Sequence, residues 1–210
     1  MPKKTINSEL KKNDFRIAIF GSARIKKDDK IYKQVFALAK DIGKQGFDMV
    51  TGGGPGLMEA ANAGHNAGDP NNKSDDIGLI IKLPWENEGN KHLEIQKEFS
   101  KFSSRLDTFM ALSSVAVIMP GGIGTCLELF YTWQLIQVGH INPIPIILVG
   151  KMWEEMLAWV KKYPIKQGLA SKSDIDWIFV AKNNKEAMKM IMIAHGEFDQ
   201  GKHINSKYLR

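Results

Sequence analysis

The sequence predicts an α/β fold: a three-layer sandwich with helices on both faces of a parallel sheet. Three observations predict it. Apolar runs rich in β-branched residues alternate along the chain with segments of helical periodicity. The run Val115-Ala116-Val117-Ile118 has no polar alternation, as expected of a strand buried on both faces. Two glycine-rich turns, Gly52-Gly53-Gly54-Pro55-Gly56 and Gly121-Gly122-Ile123-Gly124, each follow a strand and lead into a helix. The architecture is therefore Rossmann-like, and ligands are expected at the carboxyl ends of its strands.

The elements follow in order. Residues 1–14 are polar, a loose arm or short helix. Phe15 to Phe20 forms the first strand, ending in Gly21-Ser22-Ala23-Arg24. Asp28 or Asp29 caps a helix from about Lys30 to Lys44, whose Ile31, Val35, Leu38, Ala39 and Ile42 share one face. Gly46 follows its end. Phe47 to Thr51 is the second strand, and the first glycine turn leads into a helix with Pro55 near its start. Residues 69–76 read as a surface loop. Ile77 to Ile81 is the third strand, ending at Leu83-Pro84-Trp85-Glu86, and 87–102 reads as irregular or partly extended.

Ser103 to Leu112 is a helix with Phe102, Leu106, Phe109 and Met110 along one stripe. Arg105 falls inside that stripe. It either snorkels to solvent or points into a pocket beside the next strand. Val115 to Ile118 follows, then the second glycine turn and a helix from Leu127 to Ile136. Ile144 to Val149 is a core strand, Trp153 to Tyr163 a helix, and Asp176 to Val180 a last short strand. Asn183 with Glu186 starts the final helix, to about His195. No repeat or linker divides the chain, so 1–210 reads as one domain with tails at 1–14 and 198–210.

Bulk properties narrow the function classes. The 210 residues suffice for one sizeable core. A single cysteine, Cys126, excludes an internal disulfide framework and fits a reducing, cytoplasmic setting. No apolar run reaches a membrane span, and the N-terminus lacks a signal-peptide core. The net charge of +6 comes from scattered lysines not clustered with aromatics, which argues for an anionic small-molecule ligand over nucleic acid. The first turn lacks G-x-G-x-x-G, so NAD binding is not expected. A P-loop lysine motif and a G-x-S-x-G elbow are also missing, and the five histidines have no metal-ligand spacing. No cofactor or metal is expected.

The organising stretch is Met119-Pro120-Gly121-Gly122-Ile123-Gly124-Thr125-Cys126-Leu127-Glu128. Its glycines let backbone approach a ligand closely, and the helix start adds free N–H groups and partial positive charge. Both features suit a phosphate. Thr125 and Glu128 have the spacing of a capping box. A second reading, compatible with the first, is that Glu128 faces the sugar of a bound nucleotide whose phosphate lies on the backbone.

Three motifs, Gly52-Gly53-Gly54-Pro55-Gly56-Leu57-Met58-Glu59-Ala60-Ala61-Asn62, Leu83-Pro84-Trp85-Glu86 and Pro120-Gly121-Gly122-Ile123-Gly124-Thr125-x-x-Glu128, together resemble the Lonely Guy (LOG) family. Its members often carry the label "possible lysine decarboxylase". The resemblance covers about residues 15–195. It implies a homodimeric nucleoside 5′-monophosphate phosphoribohydrolase, releasing base and ribose 5-phosphate from AMP or a cytokinin riboside monophosphate. It implies Glu128 and Arg105 as the catalytic pair. The expected nucleotide- and phosphate-binding set is Gly21, Ser22, Gly53, Gly54, Glu59, Pro120, Gly121, Gly122, Ile123, Gly124 and Thr125. The family's Arg-Lys pair here reads Arg105-Leu106, a departure that touches substrate or rate. A non-catalytic nucleotide-sensing module and a nucleic-acid-binding relative are the competing readings, since fold alone does not choose.

Overall fold

In the computed structural model, which describes residues 4–83, 89–201 and 209, seven parallel strands form one sheet in the order β4-β3-β2-β1-β5-β6-β7. The strands are β1 (Arg16–Phe20), β2 (Asp48–Thr51), β3 (Asp76–Ile81), β4 (Ile95–Phe99), β5 (Val115–Ile118), β6 (Ile146–Val149) and β7 (Ile178–Ala181). The helices are α1 (Ile6–Glu9), α2 (Lys30–Lys44), α3 (Leu57–Gly68), α4 (Phe102–Leu112), α5 (Ile123–Gln137), α6 (Lys151–Val160) and α7 (Asn184–Asp199). A π-helical turn, Lys161–Ile165, prolongs α6 and takes in Pro164.

Strand alternation divides the core in two. Ile17 and Ile19 of β1, with Val115 and Val117 of β5, face α2, α3 and α7. Ala18 and Phe20, with Ala116 and Ile118, face α4, α5 and α6. The central strands are therefore buried on both sides, which is why their sequences carry no polar alternation.

Strand order reverses direction between β1 and β5, which pair from Ile17↔Val115 to Phe20↔Ile118. Successive strands run one way from β1 through β2 and the other way from β5 through β6. The loops leaving these two carboxyl ends therefore part and open a crevice, the place where such sheets bind ligands.

Asp29 is the N-cap of α2, accepting from the Ile31 amide at 2.7 Å. Two readings of the sequence need correction, the surface loop at 69–76 and the start of α5. β4 supplies the extended part of the 87–102 stretch: Ile95 and Phe99 turn inward, while Gln96 and Glu98 are exposed, an edge-strand pattern. Ser74, Asp75 and Asp76 are buried rather than part of a surface loop, because Asp76 opens β3. Pro55 stands just ahead of the N-cap Gly56, near the start of α3 as expected. α5 begins at Ile123, one turn before the expected start, with consequences taken up below. Of the polar N-terminal segment, α1 packs Ile6 into the core and buries Glu9 against Arg16 at 3.0 Å. The expected motif residues Pro84, Trp85 and Glu86 lie outside the described residues.

Candidate functional site

The cleft at the strand-order reversal is about 660 Å³ in volume. Its walls are the β1 end at Gly21 and Ser22, the β2 end at Gly52 and Gly54, the β3 end at Ile80, and the start of α5. The Ser22 amide donates to the Pro120 carbonyl at 3.1 Å, and the Met119 amide to Phe20 at 2.8 Å. These bonds lock the two diverging loops together at the floor.

α5 meets the cleft with its N-terminus. Gly122 is the N-cap, and among the described residues no side chain accepts from the first turn. The amides of that turn therefore lack intrahelical acceptors and face a cleft lined by Gly122, Ile123, Gly124 and Thr125. Because Thr125 is the third helical residue, it is not the N-cap, and the Thr125–Glu128 capping box does not form. The glycine run itself starts the helix, so Glu128 falls in the second turn, facing the same cleft.

Arg105 reaches Glu128 from α4. Its Nη1 lies 3.3 Å from Glu128 Oε1, and its Nε donates to the Leu79 carbonyl at 2.6 Å. Its guanidinium carbon stands 5.1 Å from the centre of the Phe109 ring. The residue is 5% exposed, so it points into the pocket and does not snorkel. Gly52 makes room for it: a Cβ there would lie 2.3 Å from Arg105 Nη2. Burial pushes the Glu128 carboxyl up to about 7, only partly offset by the charge and hydrogen bond of Arg105. Burial likewise pushes Arg105 below its ordinary value while Glu128 holds it up. The guanidinium remains the cation of the pair.

The other expected site residues fall at different depths. Gly21, Ser22 and Gly54 line the cleft. Gly53 is not a lining residue; its amide donates to Thr51 Oγ1 at 3.0 Å. Glu59 lies outside the lining and pairs with Lys27 at 2.8 Å. Pro120 and Gly121 sit beneath the α5 start, where a Cβ on Gly121 would meet Thr125 Oγ1 at 2.1 Å. Leu106 is 3% exposed and does not line the cleft, so the position where the resemblance expects lysine is turned into the protein. Met58, Ile80, Ile81 and Phe102 form an apolar wall that sequence reading did not assign. The ends of β3 carried the signal, since such ends face the crevice.

The family model described as "Possible lysine decarboxylase" matches residues 58–191. The chain belongs to this family. The family description would call for pyridoxal phosphate bound through a lysine, yet no lysine is among the described residues lining the cleft, so the donor set does not fit that cofactor. Among similar proteins of known role is the pyrimidine/purine nucleotide 5′-monophosphate nucleosidase of Escherichia coli K12, 28% identical over 143 residues. The match covers 64% of this chain and 30% of that protein, so the chain spans under a third of its relative. The molybdenum cofactor binding protein of Rippkaea orientalis shares the fold with a TM-score of 0.65 at 17% identity, over 85% of this chain and 96% of that one. The molybdenum cofactor carrier protein of Chlamydomonas reinhardtii does so at 0.62 and 19%, over 85% and 98%. DNA processing protein A of Helicobacter pylori follows at 0.53 and 17%, over 88% and 83%. At these identities the family's structural neighbours establish architecture alone. No helix among the described residues is long and apolar enough to cross a membrane.

Proposed function

We propose that the protein is a nucleoside 5′-monophosphate phosphoribohydrolase, cleaving the N-glycosidic bond of AMP or a cytokinin riboside monophosphate. One observation carries this reading: the uncapped first turn of α5 and the Glu128 carboxylate line the same cleft. From Gly124 to Glu128 the helix advances about 6 Å along its axis, a separation that ribose 5-phosphate can bridge. Phosphate on the Ile123–Thr125 amides then brings the anomeric carbon toward Glu128.

As the glycosidic bond breaks, the base leaves with the bonding electrons and gains a proton. The ribose takes on oxocarbenium character, and water adds to the anomeric carbon and gives up a proton. The Glu128 carboxylate offsets the developing positive charge or accepts the proton of the attacking water. Its value near 7 divides it between two forms at neutral pH, as suits a group that moves protons. Arg105 keeps the ionised form in place and offsets negative charge beside it. Phosphate bound away from the reacting bond lends its binding energy to orientation. The E. coli nucleosidase relative supports the reaction class. Gly21, Ser22 and Gly54 complete the proposed phosphate and sugar surface, with Gly53, Pro120 and Gly121 in the turns that carry it.

The test is incubation with a panel of nucleoside monophosphates and assay of free base and ribose 5-phosphate. A purine monophosphate is expected to react and its free nucleoside to react poorly, because without phosphate the helix amides go unpaired. Tight binding of AMP with no base released would overturn hydrolysis in favour of a non-catalytic nucleotide-binding module.

A further inference from the structure

A buried polar chain runs beneath α3 from the sheet interior to the Gly52–Gly54 turn. Its members Thr51, Asn62 and Asp76 are each 0% exposed. Asn62 Nδ2 donates to Asp76 Oδ1. Asn62 Oδ1 accepts from Thr51 Oγ1 at 3.0 Å and from Asn90 Nδ2 at 2.8 Å. Thr51 Oγ1 in turn accepts the Gly53 amide at 3.0 Å. From above, the Asn90 amide donates to the Gly53 carbonyl at 2.8 Å, and Asn90 Nδ2 reaches the Gly53 and Gly54 carbonyls at 3.1 and 3.2 Å.

The polarity of this chain is fixed at one end. Burial pushes the Asp76 carboxyl up while His65 and the Asn62 amide hold it down; in its ionised form it only accepts, so Asn62 presents its NH₂ downward and its oxygen upward. That oxygen then takes the single hydroxyl hydrogen of Thr51, leaving the hydroxyl lone pairs for Gly53. His65 stands on the far side of Asp76, its Nδ1 3.5 Å from Asp76 Oδ2. The turn held this way is the one against which the Arg105 guanidinium rests, at Gly52.

We propose that Thr51 and Asn62 are positioning residues that set the place of Arg105, and through it Glu128, by fixing the Gly52–Gly54 turn. The claim rests on the reading of Arg105 and Glu128 as the catalytic pair. Apolar packing alone would fill this space; the directional chain adds a defined position for the turn. A displacement of about 1 Å at a catalytic group can cost 10²-fold in rate.

The experiment uses the full chain with Thr51→Val, Thr51→Ser and Asn90→Ala. Thr51→Val keeps shape and removes the hydroxyl, whereas Thr51→Ser keeps the hydroxyl. The readouts are the carboxyl titration of Glu128 by ¹³C NMR, assigned with Glu128→Gln, together with kcat, KM and melting temperature. Thr51→Val is expected to move the Glu128 midpoint further upward as Arg105 shifts away, and to lower kcat by ~10-fold or more with little change in KM. Thr51→Ser should restore both. Asn90 is only partly buried, so Asn90→Ala gives the same reading should Thr51→Val not fold. An unmoved Glu128 midpoint in a folded Thr51→Val or Asn90→Ala protein would overturn the proposal and make the chain a satisfied core network. Wild-type protein that releases no base would overturn the catalytic reading, while the titration would still decide whether Thr51 positions Arg105.

Discussion

Glu128 is held where the fold disfavours its charge, and that has a measurable consequence. Its ordinary value is 4.5 and its folded value about 7. Below the lower value both folded and unfolded chains hold the proton. Between the two values the unfolded chain releases it first, so stability falls as pH rises from about 4.5 to 7. Glu128→Gln lacks this dependence. The melting temperature of the variant should therefore gain on wild type between pH 5 and 8, by at most about 3 kcal/mol in stability. His65 is also raised, since its hydrogen bond and ion pair with Asp76 outweigh burial, but it titrates in both proteins and cancels in the difference. A difference flat across that range would refute the burial of the charge. In the same variant kcat should drop by ~10²-fold or more, and wild-type kcat/KM should rise with pH through about 7 if the carboxylate is the working form. Leu106 gives a second test at this scale. Leu106→Lys would bury an ammonium group away from the cleft. Lower melting temperature and no gain in turnover are expected, whereas faster base release at unchanged stability would show that position to serve the site.

At the scale of the element, α5 starts one turn early because glycine, not threonine, supplies its N-cap. Threonine three residues before glutamate gave the motif of a cap, yet the carbonyl of Gly122 already accepts from the Cys126 amide at 2.9 Å. A helix start built on glycine leaves its amides open, which is the property a phosphate site needs. A Cβ on Gly122 or Gly124 would meet nothing within 4 Å among the described residues beyond its chain neighbours and its own helix backbone, so substitution there should leave the fold intact and intrude on the cleft. By calorimetry, Gly122→Ala and Gly124→Val should weaken AMP binding about tenfold or more, that is by about 1.4 kcal/mol, with Thr125→Ser nearly silent. Equal affinities across the three would remove the phosphate from this turn. Glycines elsewhere have another use. In α3, a Cβ on Gly64 would lie 2.2 Å from the Phe36 carbonyl of α2. Gly64→Ala should destabilise by about 1–3 kcal/mol through forced separation of the helices. In α7, a Cβ added at Gly196 would meet nothing within 4 Å among the described residues outside its own helix, and Gly196→Ala should stabilise by up to ~1 kcal/mol. Differential scanning calorimetry of the pair checks both signs.

At the scale of the whole molecule, sequence reading succeeds where the physics is local. Periodicity placed α2 from Lys30 to Lys44, and unbroken apolar runs located the central strands. Strand–glycine–helix order was enough to bring Gly21, Gly54 and Gly122 to one edge. It fails where partners are distant in sequence. β4 forms because β3 is there to pair with, from Ile77↔Ile95 to Ile81↔Phe99, and Ile95–Phe99 alone carries too few apolar residues to announce more than partial extension. The Thr51–Asn62–Asp76 chain is likewise invisible until the helix is laid on the sheet. The outer face of the molecule is legible again, because the run Phe130-Tyr131-Thr132-Trp133-Gln134-Leu135-Ile136 makes α5 apolar around more of its circumference than one sheet contact requires. Trp133 is buried, but Leu127 and Phe130 of that helix are each 43% exposed. Phe130 stacks on Trp133 with ring centres 5.8 Å apart, and both line a groove shared with Trp159 of α6. Apolar side chains gathered in this way call for a cover, and a second copy of the chain supplies the same chemistry through two-fold pairing. Sedimentation equilibrium should therefore give a homodimer, and Phe130→Asp should shift it to monomer while leaving the far-UV circular dichroism unchanged. The helix that would be covered is the one whose N-terminus and Glu128 face the cleft, so loss of the dimer should also lower base release. A wild-type protein that is monomeric at micromolar concentration, or a Phe130→Asp monomer with full turnover, would separate this apolar face from the site.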